Sequence, residues 1–356
     1  MDPEPNAFPK RPRGRGAGDN PDQRFAEMHV AYDEGEAPHK VQTKFFVDHS
    51  ASIITQNDSP DLRFEGSINP YRGCEHGCPY CYARPTHEYL GFSAGLDFES
   101  RIMVKPEAPK LLRAALMKRS YKPVTLAMSG VTDCYQPAER KLGITRACLE
   151  VLLEFRNPVV LITKNHLVTR DVDLLGELAR HNAVAVYISV TSLDPKLAHV
   201  LEPRASSPNQ RLDAIRTLHA AGVPVGVSVA PVIPALNDHE IPSILNAASS
   251  AGASFAAYTV VRLPFAVKDV FAGWLQEHFP DRKEKVLGRI RESQGETMSH
   301  GEFGKRLKGV GVWAEQIEQI FKVSMIRSGL ADKRKPQLST SAFQIPKPTT
   351  GQLELF

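Results

Sequence analysis

From residue 66 onward the apolar residues of this chain gather into short, nearly continuous runs separated by amphipathic stretches. The runs are GSINPY (66–71), PVTLAMS (123–129), PVVLIT (158–163), AVAVYISVT (183–191), VPVGVSVA (223–230) and SFAAYTVV (254–261). Between them, 139–155, 170–181, 209–222 and 241–252 place apolar residues at helical spacing. Two of these stretches end in Ala-Gly before the next run, a helix stop. Strands apolar on both faces that alternate with helices predict a parallel sheet covered by helices. Six such units, rather than eight, predict an α/β fold: a partial (βα)6 TIM-like barrel with parallel strands, open on one side.

The flanks differ in texture. Residues 1–40 are rich in Pro, Gly and charge and read as a disordered basic arm, followed by a lead-in segment over 41–65. The barrel is expected over 66–262. The pattern then turns helical in VKDVFAGWLQEHF, RKEKVLGRIRES and WAEQIEQIFKVSMIRSGL, which predicts a helical C-terminal cap over 263–330. Residues 331–356 return to tail composition and read as a flexible tail ending in QLELF.

With 42% apolar and 24% charged residues, a sizeable buried core is feasible. No run reaches the roughly 18–20 apolar residues that span a bilayer, and the start lacks an apolar signal core, so a cytoplasmic protein is expected. A net charge of +4 is too weak to establish a nucleic-acid partner and does not exclude one. The five cysteines are more telling, because a reducing compartment argues against a disulfide framework.

Three of those five, Cys74, Cys78 and Cys81, fall inside RGCEHGCPYCYARP, directly after the first strand run. A strand-to-helix loop of a β/α barrel is where chemistry gathers. Structural zinc takes four protein ligands; His76 is a candidate fourth, but no second paired motif follows. Three soft thiolates in one short loop fit an iron-sulfur cubane better, with the fourth iron left open to an exogenous ligand.

The C-x-x-x-C-x-aromatic-C spacing, with Tyr80 as the aromatic, resembles the radical S-adenosylmethionine (SAM) superfamily. In that superfamily the open iron chelates the methionyl amino and carboxylate groups of SAM, and one electron yields methionine and a 5'-deoxyadenosyl radical. A closer likeness runs through SINPYRGCEHGCPYCYARP, TDCYQPAERKLGITRACLEVL, TKNHLVTRDVDLL, ISVTSLDPKLAHVLEPRASSPNQRLDAIRTLHAAGVPVGVSVAPVIPALND and VVRLP. Over about residues 50–330, these stretches resemble the spore photoproduct lyase-related branch and its poorly characterised bacterial subgroup. The resemblance implies Cys74, Cys78 and Cys81 as ligands of a 4Fe-4S cluster, and Tyr80, Ser129, Lys164, Ser189 and Ala230 as SAM-binding positions. In it, Ser129 lies by the methionyl amino group, Lys164 pairs with the carboxylate, Ser189 reaches the ribose and Ala230 lies at the adenosyl end. Independently, the four beyond the cysteine loop fall at predicted C-terminal strand ends.

The likeness fails at one position. The lyase that repairs spore thymine dimers has a cysteine hydrogen donor immediately before the serine of the second strand; here Met128 stands there, and a thioether has no S–H. Cys134, in TDCYQP, has two readings: a substitute catalytic hydrogen donor or a small packing residue. Cys148, mid-helix, reads as core. Asp133, Tyr135, Glu139, Arg140, Glu202, Arg204 and Arg211 lie near the predicted mouth, either facing a polar substrate or pairing with one another. Arg72, His76, Tyr82 and Arg84 are placed to tune a cluster through hydrogen bonds.

The terminal QLELF resembles the short peptide by which bacterial replication and repair proteins dock on the sliding clamp, with Gln352, Leu353, Leu355 and Phe356 as contacts. Two functions follow. One is a radical SAM enzyme, lyase-like, that abstracts hydrogen from a DNA lesion or modified base and takes electrons from a flavodoxin or ferredoxin. The other is an iron-sulfur binding or redox-sensing module docked on the replication machinery through its tail.

Overall fold

The computed structural model describes residues 12–25, 41–62, 64–333 and 335–346. Along the chain run β1 (Lys44–Val47), β2 (Ile54–Gln56), β3 (Gly66–Ile68), β4 (Tyr71–Arg72), α1 (Leu96–Ser100), β5 (Arg101–Val104), α2 (Ala108–Leu116) and β6 (Leu126–Met128). They are followed by α3 (Glu139–Leu142), α4 (Ile144–Phe155), β7 (Val159–Thr163), α5 (Val172–Arg180), β8 (Val184–Ser189), α6 (Pro195–Leu201) and α7 (Pro208–Ala220). The last elements are β9 (Val225–Val232), α8 (Ile241–Ser250), β10 (Phe255–Val260), α9 (Val267–His278), α10 (Lys283–Ser293) and α11 (Gly311–Arg327).

The six expected runs form one parallel sheet in chain order, β3-β6-β7-β8-β9-β10, with β2 antiparallel on the outer edge of β3. Because each strand is covered on both faces, β6, β8 and most of β9 are buried along their length. The sheet does not close, and β10 and β2 are its free edges. Residues 298–309 bridge that gap. Val260 N–H donates to the Leu307 carbonyl (2.9 Å) and Leu263 N–H to that of Met298 (2.7 Å). On the other side Gly304 N–H and Arg306 Nε donate to the Asp61 carboxylate at 2.5 and 2.6 Å.

Helix starts follow local chemistry. Ser207 and Gln210 form a capping box before Pro208, and Asp194 caps α6 ahead of Pro195. The first run is shorter than its pattern predicts: Pro70, with no N–H for the ladder, ends β3 at Ile68. The chain then enters β4, which pairs with β5 in a separate sheet of order β1-β5-β4.

Of the expected cap, α11 packs into the main core through Ile317 and Phe321, while α9 and α10 form a second cluster. Trp274, Phe271, Val286 and Ile290 from α9 and α10 pack with Leu197, Leu201 and Leu263, and this cluster includes Cys78 and Tyr80 of the cysteine loop. Trp274 Nε1 donates to the Val200 carbonyl at 3.0 Å.

Both flanks depart from expectation where they are described. Within the arm, Pro12, Arg15, Gly16 and Ala17 are buried. In the tail, Lys333 Nζ bonds the Ala253 carbonyl (2.8 Å), Ser339 N–H that of Asn182 (3.0 Å) and Gln344 N–H that of Phe155 (3.0 Å). The Ala253 and Asn182 carbonyls sit in the turns that enter β10 and β8 and that of Phe155 ends α4 before β7, so the described tail residues, 333 and 335–344, cross the end of the sheet opposite the cysteine loop, and Gln344 satisfies a carbonyl that α4 leaves unpaired. Residues 352–356, including Gln352, Leu353, Leu355 and Phe356, lie outside the described residues.

Candidate active site

The cysteine loop closes over the C-terminal ends of the parallel strands and is fixed by bonds from all around it. Cys74 N–H donates to Phe98 O (2.9 Å), and Glu75 N–H to Gln136 Oε1 (2.9 Å), while Gln136 Nε2 donates to Gly73 O (3.1 Å). Arg84, without exposed surface, donates Nε to Cys78 O at 2.9 Å. All three loop thiols are free; Cys74 and Cys78 are buried and Cys81 is half-buried. Burial, then the nearby Glu202 carboxylate, pushes the Cys78 thiol up to about 12. Burial likewise raises Cys74, reinforced by Asp133.

Each strand end meets this loop. At the end of β6, Ser129 adopts φ +84°, a left-handed conformation rare for a residue with a Cβ. Its Oγ accepts from Cys134 N–H (2.9 Å), and the neighbouring Gly130 carbonyl accepts from Tyr82 O–H (2.7 Å). At the end of β7, Asp133 accepts from Thr163 Oγ1 and from Lys164 N–H, both at 2.8 Å. His76 Nδ1 lies 3.4 Å from Asp133, and Asn165 Nδ2 lies 3.4 Å from His76 Nε2. These partners assign the proton to Nδ1, and burial holds the ring's pKa below its usual value.

Lys164 is the local cation. Burial acts to lower its pKa, but Glu202, Cys78 and Asp133 together raise it, so the ammonium stays charged. Glu202, without exposure of its side chain, pairs with Arg211 and accepts from Thr191 Oγ1 (2.6 Å) and Tyr80 O–H. Its burial acts upward, yet Arg211 and Lys164 hold the carboxyl below the usual range. Arg211 Nη1 also donates to the Ser189 carbonyl (3.1 Å) at the end of β8, and Thr191 Oγ1 lies 3.4 Å from the Ala230 carbonyl in β9. The structure therefore brings Cys74, Cys78, Cys81, Tyr80, Ser129, Lys164, Ser189 and Ala230 to one end of the sheet.

Other expected residues lie elsewhere. Cys134 has no exposed surface; it belongs to the main core, where burial pushes its thiol well up, and its carbonyl accepts from Thr145 Oγ1 (2.7 Å). Its thiol and its N–H both bond Ser129. Cys148 is buried in the same core. Glu139 is fully buried against Tyr71 O–H (2.5 Å) and Arg170 (2.7 Å), and Tyr135 donates to Asp171 (3.1 Å). Glu139 and Tyr135 join elements rather than face a mouth; Arg140 is exposed. Arg204 pairs with Glu75 at 2.9 Å, and Arg72 with Asp48 at 2.9 Å on the small sheet. Sequence reasoning missed Glu99 and gave no role to Thr191, Asn165 or Gln136, although these three stand in ISVTS, TKN and TDCYQP; their side chains act through Glu202, His76 and Glu75, pairings that the motifs do not reveal.

Parallel strands covered by helices, with a three-cysteine loop over their C-terminal ends, define an α/β enzyme of partial-barrel type. A family model described as the radical SAM superfamily matches residues 68–248, and the chain belongs to that superfamily. It is a radical SAM enzyme by membership. An uncharacterized protein of Mycobacterium tuberculosis (strain ATCC 25618 / H37Rv) is 35% identical over 233 residues, 65% of this chain and 67% of the relative. An uncharacterized protein of Methanocaldococcus jannaschii is 31% identical over 173 residues, 49% of this chain and 62% of the relative. Among solved structures, spore photoproduct lyase complexed with dinucleoside spore photoproduct matches with TM-score 0.55 and 18% identity, covering 80% of this chain and 77% of that one. A mutant of that lyase with bound AdoMet and the same dinucleoside matches at TM-score 0.54 and 19% identity, covering 80% and 77%. These structures share the fold. Among the described residues no helix is long and apolar enough to cross a membrane.

Proposed function

We propose that the chain binds a 4Fe-4S cluster through Cys74, Cys78 and Cys81 and SAM at the adjoining strand ends, and acts on a DNA lesion or modified base. The observation that supports this most is the meeting of three free thiols with a buried, charged lysine at one end of the sheet. Three soft donors in one short loop suit a polynuclear sulfide cluster.

When bound, the cluster and SAM supply one-electron cleavage of the sulfonium, giving methionine and a 5'-deoxyadenosyl radical able to abstract hydrogen. The chain's part is to bind, orient and exclude water. Lys164 offers an ammonium to the methionyl carboxylate, and its partner Glu202 is held ionised by Arg211. By the family resemblance Ser129 serves the amino group, Ser189 the ribose and Ala230 the adenosyl end. Tyr80 fixes the loop by its bond to Glu202.

At the rim, Tyr82 and Phe303 are 47% and 51% exposed, with Arg262 and Arg306 lying over their rings at 4.9 and 4.5 Å. Arg306 is already held by Asp61, so it is the exposed Tyr82 ring with Arg262 beside it that suits an unstacked base and its phosphate, and the dinucleoside complex of the structural neighbour supports that substrate class. The reading further includes a catalytic unit over 66–262, a cytoplasmic setting, a flavodoxin or ferredoxin as electron donor, and clamp docking through the terminal QLELF.

The test is anaerobic: reconstitute with iron and sulfide, add SAM and dithionite, and quantify 5'-deoxyadenosine with and without lesion-bearing oligonucleotide. Formation in the wild type but not in Cys78→Ala supports the chemistry, and stimulation by the lesion supports the substrate. A fully loaded protein that never yields the nucleoside refutes the enzyme and favours the sensing module.

A further inference from the structure

The segment over 12–25 has no regular secondary structure, yet it is bonded at both ends to the cysteine loop and its support. The hub is Glu99, buried without exposure at the end of α1. Its carboxylate accepts from Gly16 N–H (3.0 Å) and Ala17 N–H (2.8 Å) and pairs with Arg84. Arg84 in turn holds the Cys78 carbonyl (2.9 Å) and those of Ala94 (3.1 Å) and Gly95 (2.9 Å). One carboxylate therefore ties the segment to the middle cysteine of the loop.

A second tie runs beside it. Arg15 donates to Glu99 O (2.5 Å), Val41 O (2.9 Å) and Thr43 Oγ1 (3.0 Å). Thr43 Oγ1 reaches Glu75 (2.8 Å), the residue after Cys74. The backbones also touch: a Cβ on Gly16 would lie 1.5 Å from the carbonyl oxygen of Gly77, the residue before Cys78. Gly77 itself sits at φ +71° and faces Gly16 N. Farther along, Leu96 N–H bonds Asp19 O (3.0 Å), and Arg24 pairs with Glu88 at 2.5 Å.

We infer that residues 12–25 seal the outer side of the cysteine loop, and that Glu99 is the positioning residue coupling this seal to occupancy of the loop. The inference rests on the reading of Cys74, Cys78 and Cys81 as cluster ligands. A docked segment fixes the Cys78 carbonyl through Glu99 and Arg84, so less chain entropy is lost when the thiolates close on a cluster. By linkage, a loaded loop holds the segment down by the same factor. The seal also keeps water and dioxygen from that side of the cluster.

The test uses the full chain with Gly16→Val, whose Cβ cannot coexist with the Gly77 carbonyl and touches no residue of the barrel core. Wild type and variant are loaded anaerobically, then exposed to air while the visible absorbance is followed. Trypsin cleavage after Arg15 and Arg24 is timed in apo and loaded protein. The expected result is several-fold faster loss of absorbance in the variant and slower cleavage of loaded than of apo wild type, with that difference gone in the variant. A truncation lacking residues 1–25 should decay as the variant does, which separates loss of the seal from a displaced Gly77. Glu99→Gln should abolish the difference in cleavage between apo and loaded protein while leaving the loaded spectrum that of wild type, an outcome a merely structural glutamate would not give. Equal decay in wild type, variant and truncation, or equal cleavage of apo and loaded wild type, overturns the inference. If the wild type takes up no cluster, the ligand reading itself has failed and the inference falls with it.

Discussion

Glu202 and Arg211 form an ion pair at 2.5 Å with both side chains withdrawn from solvent. It connects the cysteine loop, through Tyr80, with the end of β8, through the Ser189 carbonyl. Removing one member of such a pair leaves a buried charge without its partner, at a cost of about 3–5 kcal/mol. Arg211→Met should therefore lower stability by that order in urea unfolding of the apo chain. Arg140→Ala, at an exposed position, should stay within about 0.5 kcal/mol.

The cysteines should separate into two groups. Alanine at Cys74, Cys78 or Cys81 is expected to abolish the visible charge-transfer absorption and the bound iron after reconstitution. Alanine at Cys134 or Cys148, both in the main core, should leave iron content unchanged and cost about 1 kcal/mol for the small cavity. Full iron and sulfide in Cys78→Ala would refute the ligand assignment.

Much of this arrangement is readable from local pattern. Val159–Thr163 and Val184–Ser189 stand where their apolar runs place them, because strands covered on both faces leave a continuous signal. The cysteine loop announces itself by spacing alone. Contacts that join distant parts of the chain leave no such trace. Gly16 and Ala17 read as disorder by composition, and the partner of their N–H groups is the carboxylate of Glu99, more than 80 residues later. The tail is similar, since Gln344 depends on the carbonyls of Glu154 and Phe155. Cys134 lies close to Ser129 in sequence and bonds it in space, yet it is withdrawn from solvent, which proximity alone does not reveal.

Lys164 should matter to SAM and not to the cluster. Its ammonium is kept charged by Glu202 and Cys78 against the effect of burial. A hydrogen bond to a charged group contributes about 1.5–3 kcal/mol. Lys164→Met should therefore weaken SAM binding by about 10- to 100-fold, as measured by anaerobic equilibrium dialysis, with iron content as in wild type. Unchanged affinity would remove Lys164 from the carboxylate site.

His87 supplies a pH dependence of stability separate from the chemistry. Its Nε2 bonds the Arg101 carbonyl at 2.9 Å, its ring packs against Phe92 and Phe98, and burial pushes its pKa down to about 4. The unfolded chain takes up this proton near pH 6.5 and the folded one only near pH 4, so acid favours unfolding across that window. Between pH 6.5 and 5.0 the wild type should lose about 1.5 kcal/mol through this one group. His87→Gln keeps an N–H for the Arg101 carbonyl and has nothing to titrate. Its urea midpoint should fall less than that of wild type over the same interval, and parallel losses in the two proteins would show that His87 is protonated in the folded state.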